Sequence, residues 1–588
     1  MRGGASSWRP WAALSPWRGP AALGCTMALC ASAGAQIAVA DRTSSAGLTM
    51  QFSPDPFMVP QFLEWTLGGM AVGDFNNDGW PDLFVLRGGG AADRLYINKQ
   101  NGTFENQAAA WGVAATHAGA GVCAGDYDND GWTDLYVTSF GSVPNDAGEV
   151  GKNRLYHNNG NGTFSEVAAA AGVNVTSATK AAGWGCAFGD YDLDGHLDLA
   201  VAAWDPIAQG TRLFHNNGDG TFTDVTTTAT SIPAGVWGFQ PSFADMDGDG
   251  YPELLISADF ETSAYHRNNA DGTFTNITAT SGTGLDDNGM GQCVGDFNND
   301  GRLDWFVTSI WKDVPNPGQY NGCTLYTADM PHHFFENALA AGVADAGWGW
   351  GAVAVDLDCD GYQDIVEVNG RAAAEWINER EYIFRNDGDG TFTEVGQAAG
   401  LTTASDGRCV VTMDYDRDGD MDIVLLCNAG PLKLWRNDSP GGKWLQLVLD
   451  TGQNPRLAPR GRGVRATAVT GPRSRLRYMD GGHSYLGSSE EIMHFGLGTD
   501  ATVDTLTIVW PLGYVTTLTN VPANQRLTVV APRPADFNAD GVVNGADLGA
   551  LLAHWGTLNS PADRLYDLNW NGAVDGGDLG QLLGTWGP

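Results

Sequence analysis

Seven times between residues 74 and 422 the chain writes an acidic loop of one spacing, and a longer form occurs twice more near the C-terminus. The first copy, Asp74-Phe-Asn76-Asn-Asp78-Gly79-Trp80-Pro-Asp82, puts oxygen-bearing side chains at positions 1, 3, 5 and 9 and glycine at 6. The pattern returns as Asp126, Asp128, Asp130 and Asp134, and as Asp190, Asp192, Asp194 and Asp198. It continues as Asp245, Asp247, Asp249 and Glu253, and then as Asp296, Asn298, Asp300 and Asp304. The last two copies are Asp356, Asp358, Asp360 and Asp364, and Asp414, Asp416, Asp418 and Asp422. A single Asn-Gly or Asp-Gly is an ordinary turn. Successive starts 52, 64, 55, 51, 60 and 58 residues apart mark a repeating unit. Alternating oxygens can wrap a hard cation, and calcium takes six to eight of them at about 2.3–2.6 Å. The glycine permits the sharp turn that closes the loop.

At 588 residues the chain is too long for one compact core, so several domains or a large repeat architecture are expected. With 80 glycines and only 17% charged residues it suits short strands and tight turns better than long helices. The net charge of −37 is concentrated at the loops, and nine bound divalent ions would roughly halve it. A nucleic-acid partner is not expected, because such proteins carry a basic footprint.

The first 35 residues read as an export signal: Arg2, Arg9 and Arg18 precede the apolar stretch Ala21 to Ala31, and small residues offer cleavage near Gln36. No later run is long enough to span a membrane. Seven cysteines would remain, of which Cys409 and Cys427 flank the last repeat loop and form the one disulfide candidate.

Each unit extends beyond its loop. A Gly-rich apolar strand precedes it and an apolar strand such as Leu135-Tyr-Val137 follows. An aromatic-x-Asn strand comes next, as in Leu155-Tyr156-His-Asn158, and then a Gly-x-Gly-Thr-Phe turn into a final strand. Such turn chemistry signals consecutive antiparallel hairpins. Four strands per roughly 55 residues, repeated seven times, predict a mainly β fold built on a seven-bladed β-propeller, with a solenoid as the alternative. The seventh unit lacks its last strand, and Ile37-Ala-Val-Ala-Asp41 is expected to supply it. In the fifth unit a long insertion, Trp311 to Pro331, is expected to precede Phe334-Phe335-Glu-Asn337 as the aromatic-Asn strand.

These residues, 36–438, resemble the FG-GAP/VCBS repeats of integrin α-chain propellers and of secreted bacterial proteins. The resemblance implies calcium in a turn of each blade, with the carbonyl of position 7 added to the side chains: Trp80, Trp132, His196, Tyr251, Arg302, Tyr362 and Asp420.

After Asn437 the loops stop and arginines gather at 456, 460, 462, 465, 473, 475 and 477. Residues 439–531 alternate like strands of a small β domain, and their His494-Phe-Gly-Leu-Gly498 and Trp510-Pro-Leu-Gly513 stretches resemble the ASPIC/UnbV domain. His483, Ser484, Glu490 and His494 are the residues from which a hydrolytic set there would have to be built. Residues 532–588 hold two EF-hand-like loops. One is Asp536, Asn538, Asp540, Val542, Asn544 and Asp547, and the other is Asp567, Asn569, Asn571, Ala573, Asp575 and Asp578. Each is followed by a helix with Leu and Trp at i, i+3, i+4 and i+7, so an all-α pair of loop–helix units is expected. This tail resembles a type I dockerin, which implies calcium and a cohesin-like partner. The pairs Gly545-Ala546 and Gly576-Gly577 depart from the hydroxyl-bearing residues frequent there.

No nucleophile–base pair, phosphate loop or dinucleotide fingerprint is visible. The expectation is a secreted, non-enzymatic scaffold with up to nine Ca2+ sites that binds an extracellular protein or glycan at the cell surface or outside it. The alternative is a dockerin-bearing lyase or glycoside hydrolase acting on polysaccharide.

Overall fold

The computed structural model describes residues 37–53, 66–88, 91–140, 152–175, 183–204, 210–230, 235–316, 319–371, 376, 379–403, 405–482, 484–558 and 560–588. The leader expectation and His483 fall outside the described residues.

The fold is mainly β. Seven four-stranded antiparallel sheets follow one another in the manner of a propeller. Sheet 2 is typical, with strands Gly119–Gly125, Asp134–Ser139, Arg154–Asn158 and Phe164–Glu166 in spatial order. The acidic loop always joins the first strand to the second. First strands of sheets 1 and 2, 2 and 3, 3 and 4, 5 and 6, 6 and 7, and 7 and 1 lie against each other. Between sheets 4 and 5, Gln292 Nε2 donates to Gln240 O at 2.8 Å. Sheet 7 is completed from the N-terminal end as expected: Val39–Asp41 pairs antiparallel with Leu432–Asn437, Val39 facing Asn437. That pairing covers an edge which would otherwise invite aggregation.

The Asn of the aromatic-x-Asn strand holds neighbouring sheets together. Asn158 Nδ2 donates to Phe75 O of sheet 1 at 2.9 Å and to Thr133 O of its own sheet at 3.1 Å. Asn98, Asn216, Asn268, Asn386 and Asn437 repeat the link to the preceding sheet, Asn98 reaching Tyr415 O at 2.9 Å and so joining sheet 1 to sheet 7.

Sheet 5 corrects the sequence reading. Its third strand is Thr324–Met330, with Tyr326 facing Trp305, while His333–Glu336 is the fourth strand. The insertion is only the hairpin Trp311–Asn316 and Gln319–Asn321. Ala328 stands where the other third strands have Asn, so the polar marker that would locate the strand is missing from the sequence. The disulfide expectation also fails: all seven described cysteines are buried and free. A bulge between Gly407 and Cys409 sets Cys409 opposite Leu426 and Cys427 opposite Gly407, so the two thiols are not cross-strand partners.

The C-terminal region forms two further sheets. One runs Met493–Gly498, Lys443–Asp450, Gln525–Val530, the last two strands parallel. The other runs Arg473–Tyr478, Arg465–Thr470, Thr502–Val509, Val515–Pro522. Leu445, Leu447, Ala466, Phe495, Leu506 and Trp510 share their core. The tail is not purely helical: besides helices Gly545–Ala553 and Gly576–Gly584 it pairs Gly556–Thr557 with Ala573–Val574.

Candidate metal centres and the covered loop face

Local backbone geometry builds each loop around its first aspartate. Asn77 and Gly79 both take left-handed φ values, 53° and 87°, which turns successive amides inward. Asp78 N then donates to Asp74 Oδ1 at 2.9 Å and Gly79 N to Oδ2 at 2.8 Å. The same two bonds recur at Asp126, Asp190, Asp296 and Asp356, and at Asp536 and Asp567 of the tail. Position 9 is fully buried. Asp82 accepts from Phe75 N at 3.1 Å and from Asn98 N at 2.7 Å, tying the loop to the third strand. Glu253 makes the equivalent bonds to Met246 N and Asn268 N, its longer side chain notwithstanding.

These carboxylates are electrostatically uneasy. Burial, then neighbouring aspartates, push Asp82 and Asp198 up to about 8 and Asp134 up to about 7. Asp358 is pushed to about 7 for the same reasons, and neither of its oxygens has a hydrogen-bond partner although the residue is 2% exposed. An uncompensated buried charge costs several kcal/mol, and a bound cation reverses that balance. Ligand atoms of Asp126, Asp128 and Asp134 lie within 4.8 Å of one another, as do those of Asp190, Asp192 and Asp194. The donor set is therefore one that could hold a hard cation.

The loops are not equivalent. At the x position of the third strand, His157 Nδ1 lies 3.1 Å from Asp128 Oδ2, and His215 Nδ1 lies 3.4 Å from Asp192 Oδ2. In sheet 7 the same position is Arg436, whose Nε sits 2.6 Å from Asp416 Oδ2 and whose Nη2 sits 2.5 Å from Asp418 Oδ2. In the tail, Asn544 and Asp575 are used differently from their neighbours. Their side chains cap the two helices, accepting from Ala546 N at 2.8 Å and Gly577 N at 2.7 Å. Asp547 and Asp578 are buried and accept amides from within their own loops.

The arginine-rich stretch gains its explanation here. Arg462 Nη2 donates to Ala124 O at 3.1 Å and Arg465 Nη1 to Asp245 O at 2.6 Å. Arg460 reaches Asn77 Oδ1 at 3.1 Å, and Gly496 N and Gln446 Nε2 donate to Asp356 Oδ2 and Asp414 Oδ2. Arg564 of the tail donates to Asp192 O at 2.7 Å, while Arg456 holds the carbonyls of Arg564, Leu565 and Asp567. The C-terminal β region thus covers the loop face.

One segment of it enters between the sheets. Ser488 bridges Ala71, Leu486 O accepts from Val122 N at 3.1 Å, and Leu486 N donates to Gln240 Oε1 at 2.9 Å. Tyr485, wholly buried, packs edge-on against Phe239 and at a tilt against Trp350, and donates to Thr66 O at 2.7 Å. The first strands of sheets 1, 2, 4 and 6 therefore meet on residues 485–488. This placement also disperses the candidate hydrolytic residues. Glu490 pairs with Arg417 and Arg526, His494 Nε2 faces Gly419 O at 3.1 Å, and burial lowers His494 to about 3. No partnered nucleophile forms among the described residues of this set: Ser484 Oγ is buried without a hydrogen-bond partner.

Comparison with known proteins agrees with this layout. FG-GAP-like repeats match residues 74–137, 145–201, 194–256, 249–307 and 376–425, and the ASPIC and UnbV family matches 454–535. The chain is similar to cartilage acidic protein 1 of Homo sapiens, 27% identical over 287 residues, which is 46% of this chain and 41% of that protein. The Mus musculus protein of the same name is 26% identical over 283 residues with the same coverage. The match thus spans about two fifths of these relatives' own length. Among solved structures, rhamnogalacturonan lyase YesW overlaps 62% of this chain and 71% of its own at 16% identity and TM-score 0.35. BBS1N in complex with ARL6DN overlaps 66% and 96% at 12% identity and TM-score 0.39. Likenesses at these TM-scores carry no inference about this chain. No helix among the described residues is long and apolar enough to cross a membrane.

Proposed function

We propose that the chain is an exported, calcium-stabilised binding scaffold: a leader at 1–35, a seven-bladed propeller at 36–438, a β domain at 439–531 and a dockerin-like tail at 532–588. Divalent ions at the seven repeat loops and the two tail loops, calcium where the donors are oxygen alone, stiffen turns that the C-terminal region then covers. The observation that supports this reading is the covered loop face, because it directs binding to the opposite ends of the hairpins. Trp237 begins the strand that ends at the loop of sheet 4, and Phe260 follows the strand that leaves it, so both stand at the far end. They gather with Trp204, ring centroids 5.0 Å apart for Trp204 and Trp237 and 5.4 Å for Trp237 and Phe260. Trp348 and Trp376 form a second such pair at 4.7 Å, with the Arg371 guanidinium over Trp348. Aromatic faces and a guanidinium suit a glycan or a protein surface.

In the tail, Leu552 and Leu583 on the two helices, with Trp555 and Trp586 just beyond their ends, repeat one exposed Leu–Trp pair, 49–53% exposed, which supports a tethering role toward a cohesin-like partner. The test is capture of glycans and cell-surface proteins by the calcium-loaded chain. Trp237→Ala and Trp348→Ala should weaken capture at a temperature where both variants remain folded, whereas undiminished capture by both variants would overturn the reading.

A polysaccharide-acting enzyme is the second reading. The observation favouring it is Glu379, pushed up to about 7 by burial, whose Oε2 accepts from Trp348 N at 2.9 Å beside that aromatic pair. Product release from a polysaccharide that is abolished by Glu379→Gln would establish it over the scaffold.

A further inference from the structure

Three consecutive loops carry an imidazole as well as carboxylates. His157 Nδ1 lies 3.1 Å from Asp128 Oδ2 at loop position 3 and 3.5 Å from Asp134 Oδ1 at position 9. His215 Nδ1 repeats this at 3.4 Å from Asp192 Oδ2 and 3.3 Å from Asp198 Oδ1. In sheet 4 the register position is Arg267, and the imidazole arrives instead from the turn of sheet 5: His332 Nε2 is 2.9 Å from Asp247 Oδ2, grouped with Glu253. The other repeats place Ile97, Thr327, Arg385 and Arg436 at the third-strand position.

At two of the three sites the close approach lacks hydrogen-bond alignment. His157 Nδ1 and His215 Nδ1 are buried atoms without a hydrogen-bond partner, as are Asp128 Oδ1 and Asp192 Oδ1, the second oxygens of the carboxylates whose Oδ2 atoms approach the rings. That is the arrangement of ligands around a common centre. Two donors each about 2.1 Å from one metal stand about 2.9–3.4 Å apart in octahedral or tetrahedral geometry. The observed separations of 2.9–3.5 Å match. The rings are also held in place. Tyr127 and Tyr191, at loop position 2, pack edge-on against His157 and His215, with centroids 6.3 Å apart in both cases. Tyr265 Oη contacts His332 Nδ1 at 3.0 Å, orienting the far nitrogen toward the site as outer-shell partners of metal-bound histidines do.

We infer that the loops of sheets 2, 3 and 4 are carboxylate–imidazole sites for a borderline divalent cation of the zinc and manganese class, in preference to calcium. Calcium draws on oxygen donors, whereas an imidazole nitrogen favours zinc and its neighbours. The inference rests on the reading of these loops as ion sites, and the test separates the two.

The full chain is stripped with chelator, loaded with Zn2+ in the presence of excess Ca2+, washed, and its metals are counted. One retained zinc is expected for each of the three imidazoles. His157→Gln, His215→Gln and His332→Gln should each remove one zinc and leave calcium elsewhere unchanged. On wild-type protein loaded with Mn2+, pulsed electron paramagnetic resonance should show nitrogen coupling from a directly bound imidazole, a readout that needs no variant to fold. Protein that fills with calcium and excludes zinc, with no nitrogen coupling, overturns this inference and leaves the calcium reading standing. Protein that retains neither ion overturns both.

Discussion

Asp358→Asn offers a test in which the sign of the effect, more than its size, decides. Asp358 is 2% exposed, neither carboxylate oxygen is hydrogen-bonded, and burial with Asp360 close by raises its pKa from 3.8 to about 7. An acid raised on folding binds more protons in the native state between those values, so stability falls as pH climbs from 3.8 toward 7. The interval sets a ceiling of about 4 kcal/mol on the cost of the ionised side chain at pH 8 without a bound ion. Removing the charge should therefore raise the melting temperature in chelator at pH 8, by several degrees. It should also ease Asp356 and Asp364, whose carboxyls Asp358 pushes upward. With calcium the sign inverts. The variant loses a ligand, and an ion present at about a hundred times its dissociation constant contributes about 2.7 kcal/mol that is then forfeited. Scanning calorimetry of wild type and variant at pH 8, with chelator and with calcium, reads both signs, and metal analysis counts the lost ion. A variant that melts lower under both conditions would show that Asp358 is an ordinary packing residue and that the ion argument is wrong.

Three further outcomes are expected. Asp192→Ala should lose one ion per chain, whereas Asp420→Ala, at the position assigned only a backbone carbonyl, should lose none by the same metal analysis. Arg462→Ala removes donors from Ala124 O, Asp480 O and Glu491 at a site 4% exposed. It should cost about 2–4 kcal/mol, read as a lower melting temperature together with faster proteolysis near residue 440. Leu552→Asp with Leu583→Asp alters only exposed positions, so melting should stay within about 0.5 kcal/mol of wild type while calcium-dependent capture of any tail partner is lost.

Much of the architecture was legible because the repeat states its own geometry. An acid at position 9 marks the start of a second strand, aromatic-x-Asn marks a third, and Gly-x-Gly-Thr-Phe marks the turn to a fourth. Where one marker is absent the reading slips: Ala328 replaces the Asn of sheet 5, and the next aromatic-x-Asn pattern, ending at Asn337, lies nine residues further on. The role of that Asn as the link between sheets was not legible, since its partners are carbonyls about 80 to over 300 residues away. Nor was the entry of residues 485–488 between the sheets. Gly482-His-Ser-Tyr-Leu-Gly-Ser-Ser has the composition of a surface loop, and only the tertiary structure reveals the inward course of Tyr485 and Leu486. The arginines marked the end of the repeats, but the acceptors of Arg462 and Arg465, the backbone carbonyls of Ala124 and Asp245, carry no mark in a sequence. Candidate site residues fared unevenly for a related reason. Those at positions 1 and 9 are fixed by local backbone bonds, while the imidazoles that join them come from other strands.

The order in which the molecule loosens on chelation follows from the same contacts. The loop of sheet 4 carries four carboxylates, Asp245, Asp247, Asp249 and Glu253, so a divalent ion leaves it with net negative charge and Arg465 remains attracted to it. Removing the ion makes the loop more negative: repulsion within it grows, and so does its pull on the arginine. The β region is held besides by backbone bonds at Leu486 and Ser488 that involve no carboxylate. Chelation should therefore raise hydrogen exchange first in the acidic loops, around Asp78, Asp130 and Asp249, while the amides of Leu486 and Ser488 stay protected. The tail is joined through Arg456, Arg564 and the burial of Leu565 in the β region's core, with no strand pairing to it among the described residues, and any ions in its own loops would be lost at the same time. It should lose protection before the β region does. Exchange followed by mass spectrometry over a chelator series resolves the three segments. If residues 484–490 exchange as early as the loops, then the bound ions, and not the arginines and backbone bonds, hold the β region in place.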